Sequence, residues 1–289
     1  MLPGPVNWPS GVARMVVLQF YLNGHPMITP KPVFSTRWRP RLFVGMQLLA
    51  ALLLLSFCND AGQALWRQLD HAVFHTLNGS LFHNETWASL WAWMNTRQFD
   101  AGAALLMLCF LVFPGLGLER SQLQSAFTGF LLLMLLMLPL RELLSDFAVS
   151  NQLSGPSPSL QLEPAFRFSE QLPRIPAKDS ASTSFPGDHA SVLLVWIGFL
   201  LSIRRCTGTL IAAGLGCLLM LPRLFGGAHW FSDAAVGGMS LALSTLAWGL
   251  ATPVAYKLNL WLLKGLSPLF RLAGRIPLLG RLPFFKPDS

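Results

Sequence analysis

Three ionisable residues within eleven positions, Arg223, His229 and Asp233, carry the strongest chemical signal in this chain. His229 and Asp233 are four apart, so at a helix start they share a face and the carboxylate can accept the proton on one imidazole nitrogen. The other nitrogen is then free to attack. Arg223 offers a planar fork of donors suited to phosphate oxygens. A nucleophile, its orienting acid and an oxyanion clamp so spaced form a phosphoryl-transfer constellation. Upstream, the run Pro186, Gly187, Asp188, His189 supplies an opposite wall. Gly187 permits close backbone approach, Asp188 suits a helix N-cap, and a helix starting there turns its N–H groups toward an anion. His189, protonated, can hand a proton to a leaving group.

The elements that must position these groups are set by composition. Of 289 residues, 53% are hydrophobic and only 12% charged, with mean hydropathy +0.49. Soluble domains carry about a quarter charged residues, so disorder and an ordinary soluble globule are excluded and lipid is the solvent for much of the chain. Six segments approach the length of a membrane span: Leu42 to Cys58, Phe99 to Leu116, Leu123 to Leu144, Ala190 to Ile203, Thr207 to Pro222 and Trp230 to Thr252. The fourth and fifth, separated by Arg204, Arg205 and Cys206, read as a tight helical hairpin. The fold class expected is an all-α integral membrane protein of six spans.

With the N-terminus inside, 14 of the 21 cations fall on the inner side, which nets +12 against −4 outside. That asymmetry obeys the positive-inside rule, and it accounts for the net charge of +8 without a nucleic-acid partner. It also places Ser145 to His189 and Pro222 to Asp233 together on the outer face, with both termini inside. Residues 1–41 are a Pro-rich arm, 42–255 the six-span domain, and 256–289 a basic amphipathic tail that can lie on anionic lipid.

Bland readings compete for each signal. A lone His or Arg at a membrane edge ordinarily ends a helix or meets a headgroup, but three ionisable groups in this spacing have little structural excuse. Asp70, His71 and His75 lack a convincing third ligand and read as an interfacial helix rather than a metal site. Trp87, Trp91 and Trp93 read as an aromatic belt. The four cysteines, inside or at the ends of apolar runs, read as small buried hydrophobes.

The spacing Arg223, His229, Asp233, with Pro186-Gly187-Asp188-His189 upstream, resembles the type 2 phosphatidic acid phosphatase superfamily of integral-membrane lipid phosphatases. Pro-Gly-Asp-His, where the superfamily usually has Pro-Ser-Gly-His, looks like its lipid A phosphotransferase branch, as do Lys178-Asp179-Ser180, Asn95, Arg97, Phe99, Asp100 and Arg167. The likeness covers roughly residues 65 to 255. It implies His229 as nucleophile, Asp233 as its orienting acid and His189 as acid and base. Arg223, Lys178, Arg167, Gly187 and Asp188 would sit around phosphate, with Asn95, Arg97 and Asp100 behind them and neither metal nor cofactor. It implies undecaprenyl diphosphate as donor and the 1-phosphate of lipid A as acceptor. The superfamily's first motif, a Lys followed by Arg-Pro, has no counterpart: Asn151 to Pro158 contains no cation. Lys178, Arg167, Arg141 or Arg174 must then supply the charge.

Two rivals stand beside this reading, a lipid phosphatase with water as acceptor and a membrane protein that binds headgroups without turnover. Topology is testable on its own: reporter fusions at Glu163 and Ser289 should report opposite compartments, and a shared compartment would break the six-span arrangement.

Overall fold

The computed structural model describes residues 31–286. Most of the Pro-rich arm, and the last three residues with Asp288, lie outside the described residues. Nine helices carry the described chain: α1 (Pro40–Cys58), α2 (Asp60–Leu77), α3 (Glu85–Trp93), α4 (Arg97–Val112), α5 (Leu123–Ser150), α6 (Asp188–Ile203), α7 (Thr207–Phe225), α8 (Met239–Ala251), which a π-helical segment Asp233–Gly238 leads into, and α9 (Pro253–Ala273). Shorter pieces, among them a single turn at Phe168–Gln171, fill the connections. Among the described residues there is no strand, only an isolated antiparallel bridge between Thr96 and Ala177.

Helix starts follow local chemistry. Asn59, Asn84, Thr96 and Thr252 each accept a backbone N–H from the first turn of α2, α3, α4 and α9, and Pro40 and Pro253 occupy first positions where a missing N–H costs nothing. Four helical stretches are long and apolar enough to cross a membrane: Pro40–Cys58, Arg120–Ser150, Thr207–Phe225 and Asp233–Ala251. α4 and α6, at 16 residues each, are shorter. The largest departures from the expected boundaries are at the ends of α4 and α5. α4 ends at Val112 because Pro114-Gly115 and Gly117 cannot continue it, and α5 runs on to Ser150, so Arg141 lies within a helix rather than at its end.

α6 is the central element, with Val195, Trp196, Phe199 and Leu200 fully buried against Phe110 of α4, Leu123 and Leu133 of α5, Ala212 of α7 and Leu246 of α8. The α6–α7 pair forms the expected hairpin. α1 packs on α8 through Ser240 Oγ to Ala50 O (3.2 Å) and Ser244 Oγ to Gln47 Oε1 (3.0 Å). The outer side of α1 leaves Leu48, Leu52 and Leu55 exposed, which an aqueous surface would penalise and a lipid surface does not. In α9, Asn259 donates to Ser125 O (3.0 Å) and accepts from Thr128 Oγ1 (2.7 Å), while Phe270 stacks edge-on against Phe127. Residues 259 and 270 are about 16 Å apart along a helix, yet both meet residues 125–128. α9 therefore docks at the start of α5, and leaves Leu258, Trp261, Leu269 and Leu272 exposed with Lys257, Lys264 and Arg271 in a row seven residues apart.

A second, smaller core holds the site's outer wall. Trp91 stacks on Phe225 with ring centroids 3.7 Å apart and packs near Phe166 and Phe168. It is buried, a departure from the expected belt, because α3 folds its inner face onto the end of α7; Trp87 and Trp93 remain exposed. Asn78, fully buried, donates to Phe166 O (3.0 Å) and Phe225 O (2.9 Å) and accepts from Phe166 N (2.7 Å). Stranding these main-chain groups costs about 1–3 kcal/mol. Asn78→Ala should lower the thermal unfolding midpoint in detergent, whereas Asn84→Ala, at an exposed cap, should shift it less.

Candidate active site

The end of α7 delivers Arg223 and the turn beyond it delivers His229. Arg223, in the last turn of α7, is 7% exposed. Its Nη2 donates to Asp100 Oδ2 at 2.6 Å and its Nη1 to Asn95 Oδ1 at 3.1 Å. Asn95 in turn donates to Pro222 O (2.6 Å) and Trp91 O (3.0 Å), so its amide orientation is fixed by three bonds in all. The chain then reverses at Gly227, whose φ of +65° is a conformation that strains a residue with a Cβ, and where a Cβ would come within 3.0 Å of Phe74 and reach Ser159. This reversal sets His229 beside the end of α7.

His229 Nδ1 lies 2.9 Å from Ser184 O and 3.2 Å from Asp233 Oδ2. Both are acceptors, so Nδ1 carries the proton and Nε2 keeps its lone pair. Asp233 is 1% exposed, and the same Oδ2 accepts from Trp230 N at 2.8 Å, so the carboxylate closes its own helix start while orienting the imidazole.

The segment 184–189 is docked onto this turn by backbone contacts. Gly187 N donates to Asp233 O at 3.0 Å, and a Cβ on Gly187 would sit 3.0 Å from that oxygen. Gly187 is thus needed for close approach, but its N–H is committed to Asp233 and does not face an anion. Asp188 is the first residue of α6 and makes no capping bond; its carboxylate takes a two-pronged pair from Arg141 of α5, at 2.5 and 3.0 Å. The expected N-cap is therefore an inter-helix ion pair, formed because α5 stays helical past Arg141.

His189 Nε2 is 3.4 Å from Asp100 Oδ1, so Asp100 joins His189 to Arg223. Arg223, Asp100, His229 and Lys178 all contribute to the field at His189. Lys178 is brought there by its main chain, which donates to Asn95 O at 2.9 Å next to the Thr96–Ala177 bridge. Gly187, His189, Met220, Arg223 and His229 line one small cleft. Three other expected neighbours make no hydrogen bond to these residues. Arg167 pairs with Glu170, Arg97 is exposed at the start of α4, and Arg174 is exposed in the loop.

Residues 151–160, which hold no cation, form the scaffold of the site. Gly155 O accepts from Ser184 N (3.1 Å), Pro156 O from Trp230 Nε1 (3.0 Å), and Ser157 exchanges bonds with Ala181. Ser159 N donates to Gly227 O at 3.1 Å. Sequence reasoning missed this role because main-chain acceptors leave no side-chain signature. Asp179, which counts in the sequence only toward the family likeness, braces the loop through Oδ2, which accepts from Ser169 N and Oγ at 2.8 and 2.7 Å.

Comparison with known proteins shows the family of the chain. The PAP2 superfamily profile matches residues 161–257. Over 215 residues, 74% of this chain and 89% of the relative, the sequence is 30% identical to lipid A 1-diphosphate synthase of Escherichia coli (strain K12). The chain belongs to the PAP2 superfamily. No solved structure matches it. As a PAP2 member with long apolar helices it is a membrane protein, a lipid phosphatase or phosphotransferase.

Asp100, outside the matched profile, ties this PAP2 site to α4. Losing a charge-assisted bond costs about 1.5–3 kcal/mol, so Asp100→Asn should lower phosphoryl turnover by one to two decades, measured alongside the unfolding midpoint to separate chemistry from folding.

Proposed function

We propose that this protein transfers a phosphoryl group from undecaprenyl diphosphate to the 1-phosphate of lipid A through a phosphohistidine. The observation that carries this reading is the fixed tautomer of His229 in a cleft shared with His189 and Arg223. The similarity to a lipid A 1-diphosphate synthase supports the choice of acceptor.

In the proposed reaction His229 Nε2 attacks the terminal phosphorus of the donor, and the bond from that phosphorus to the bridging oxygen breaks. His189 gives its proton to the departing undecaprenyl phosphate, while Arg223, Lys178 and the first-turn N–H groups of α6 meet the charge on the transferring oxygens. Asp233 stabilises the positive imidazole that forms. An oxygen of the lipid A 1-phosphate then attacks the phosphohistidine, the N–P bond breaks, His189 accepts the acceptor's proton, and lipid A 1-diphosphate leaves. The cations take the part a metal would otherwise play.

The six-span reading places this cleft at the periplasmic face of the inner membrane with both termini cytoplasmic. α9, docked at the start of α5 with an exposed apolar stripe and a flanking row of cations, would then lie along the anionic inner leaflet, its lysines and arginines reaching headgroups.

Purified protein given donor labelled at the terminal phosphate should place label on lipid A as a 1-diphosphate, unaffected by EDTA, with free phosphate falling as lipid A is added. His229→Ala should abolish transfer, and Asp233→Asn should leave a small residual rate because the imidazole remains but is poorly oriented. Phosphate release at a rate indifferent to lipid A would establish water as the acceptor. Near-native transfer by His229→Ala would overturn the phosphohistidine route.

A further inference from the structure

Asp70 of α2 is 5% exposed, lies outside every motif that carries the proposed chemistry, and yet touches the helix start on which that chemistry depends. Its Oδ1 accepts from Ser232 N and its Oδ2 from Ser232 Oγ, both at 2.7 Å. Ser232 lies between His229 and Asp233, in the first turn of the helical stretch that becomes α8. First-turn N–H groups have no acceptor within their own helix, and here a carboxylate from another helix supplies one.

The contact is one of four along a single face of α2. Trp66 lies against Phe231 with ring centroids 6.3 Å apart, His71 stacks on Trp230 at 6.1 Å, and Phe74 blocks the space beside Gly227. Residues 66, 70, 71 and 74 therefore back the whole turn from Gly227 to Ser232. Asp70 is the carboxylate of that face. Burial pushes its carboxyl up to about 6, and the nearby charge of Asp233 adds to the rise against the opposing bonds from Ser232 and Phe231. Two buried carboxylates thus meet at one helix start. Asp233 folds back onto His229 and Trp230 N, while Asp70 takes Ser232 from outside. With Asp70 holding Ser232, Asp233 does not have to satisfy that donor and its Oδ2 stays on the imidazole.

We propose that Asp70 is a positioning residue for the nucleophile: by clamping the main chain and hydroxyl of Ser232 it holds the Trp230–Asp233 turn so that Asp233 presents its carboxylate to His229 Nδ1. This rests on His229 being the nucleophile. Asp70 touches no reacting atom, so its contribution belongs to the rate of the chemical step and not to the capture of donor.

The test uses the full-length protein in detergent with labelled undecaprenyl diphosphate, comparing wild type with Asp70→Asn, Asp70→Ala, Ser232→Ala and the Asp70→Asn/Ser232→Ala pair. Asp70→Asn, which keeps the shape and one acceptor, should lower kcat by about tenfold with KM within about twofold, and Asp70→Ala should lose more. The double variant should lose less than the product of the two single losses, because both remove one contact. Amide hydrogen exchange in the segment 230–233 should speed up in Asp70→Asn while the interior of α6 exchanges as before. An unchanged kcat, a loss confined to KM, or unaltered exchange at 230–233 would overturn the proposal. If the wild type proves inert toward the diphosphate, the donor assignment falls, and the exchange measurement by itself decides for or against the clamp.

Discussion

A guanidinium withdrawn from water must be met by acceptors, because an unpaired buried charge costs several kcal/mol. Arg223 imposes that requirement at the centre of this fold. Its partners come from a different part of the chain, Asp100 at the start of α4 and Asn95 just before it. Satisfying one cation therefore pins the α3–α4 corner to the end of α7. The corner then carries further structure, since Asn95 O receives Lys178 N and Thr96 pairs with Ala177. Residues far apart in sequence gather around one side chain, and in the proposed reaction the face of the guanidinium that its neighbours leave open is available to phosphate.

Two imidazoles face the cleft with differently built carboxylate partners. His229 is held by Asp233, a nearly inaccessible group that also closes its own helix start, and by a main-chain oxygen. His189 meets Asp100, which is partly exposed and already engaged with Arg223. The first arrangement fixes a tautomer; the second leaves a ring whose partner is shared with a permanent cation. Such asymmetry suits a division between a nucleophile, which must be aimed, and a proton carrier, which must change state.

The helices and the Arg223–His229–Asp233 cluster were legible because hydropathy runs and fixed residue spacing are local properties. The α6–α7 hairpin followed from three residues between two apolar runs, and Asn95 and Asp100 from family likeness. What escaped was non-local. Asp188 suggested a cap, but its partner is Arg141, 47 residues away and inside a helix. Trp91 suggested a belt, yet it stacks on Phe225. Residues 151–158 suggested a gap because they lack a cation, while their contribution is made largely by main-chain carbonyl and amide groups, which leave no mark in the sequence. Asp70 suggested at most a weak metal ligand beside His71, and its actual partner, Ser232, lies 162 residues away.

The way residues 151–160 do their work bears on how such a protein can change. Gly155, Pro156, Ser159 and Gly227 hold the turns of the candidate site together largely through main-chain oxygens and nitrogens, which persist when a side chain is exchanged. Outward-facing side chains of the long connection, such as Leu160, Glu163 and Arg174, can vary without moving His229 or Asp233. In the proposed reaction, recognition of a second lipid by that loop would thereby be mechanically separable from the transfer chemistry. A lineage could drift from one acceptor to another at the loop surface while the phosphate-handling centre stays as it is.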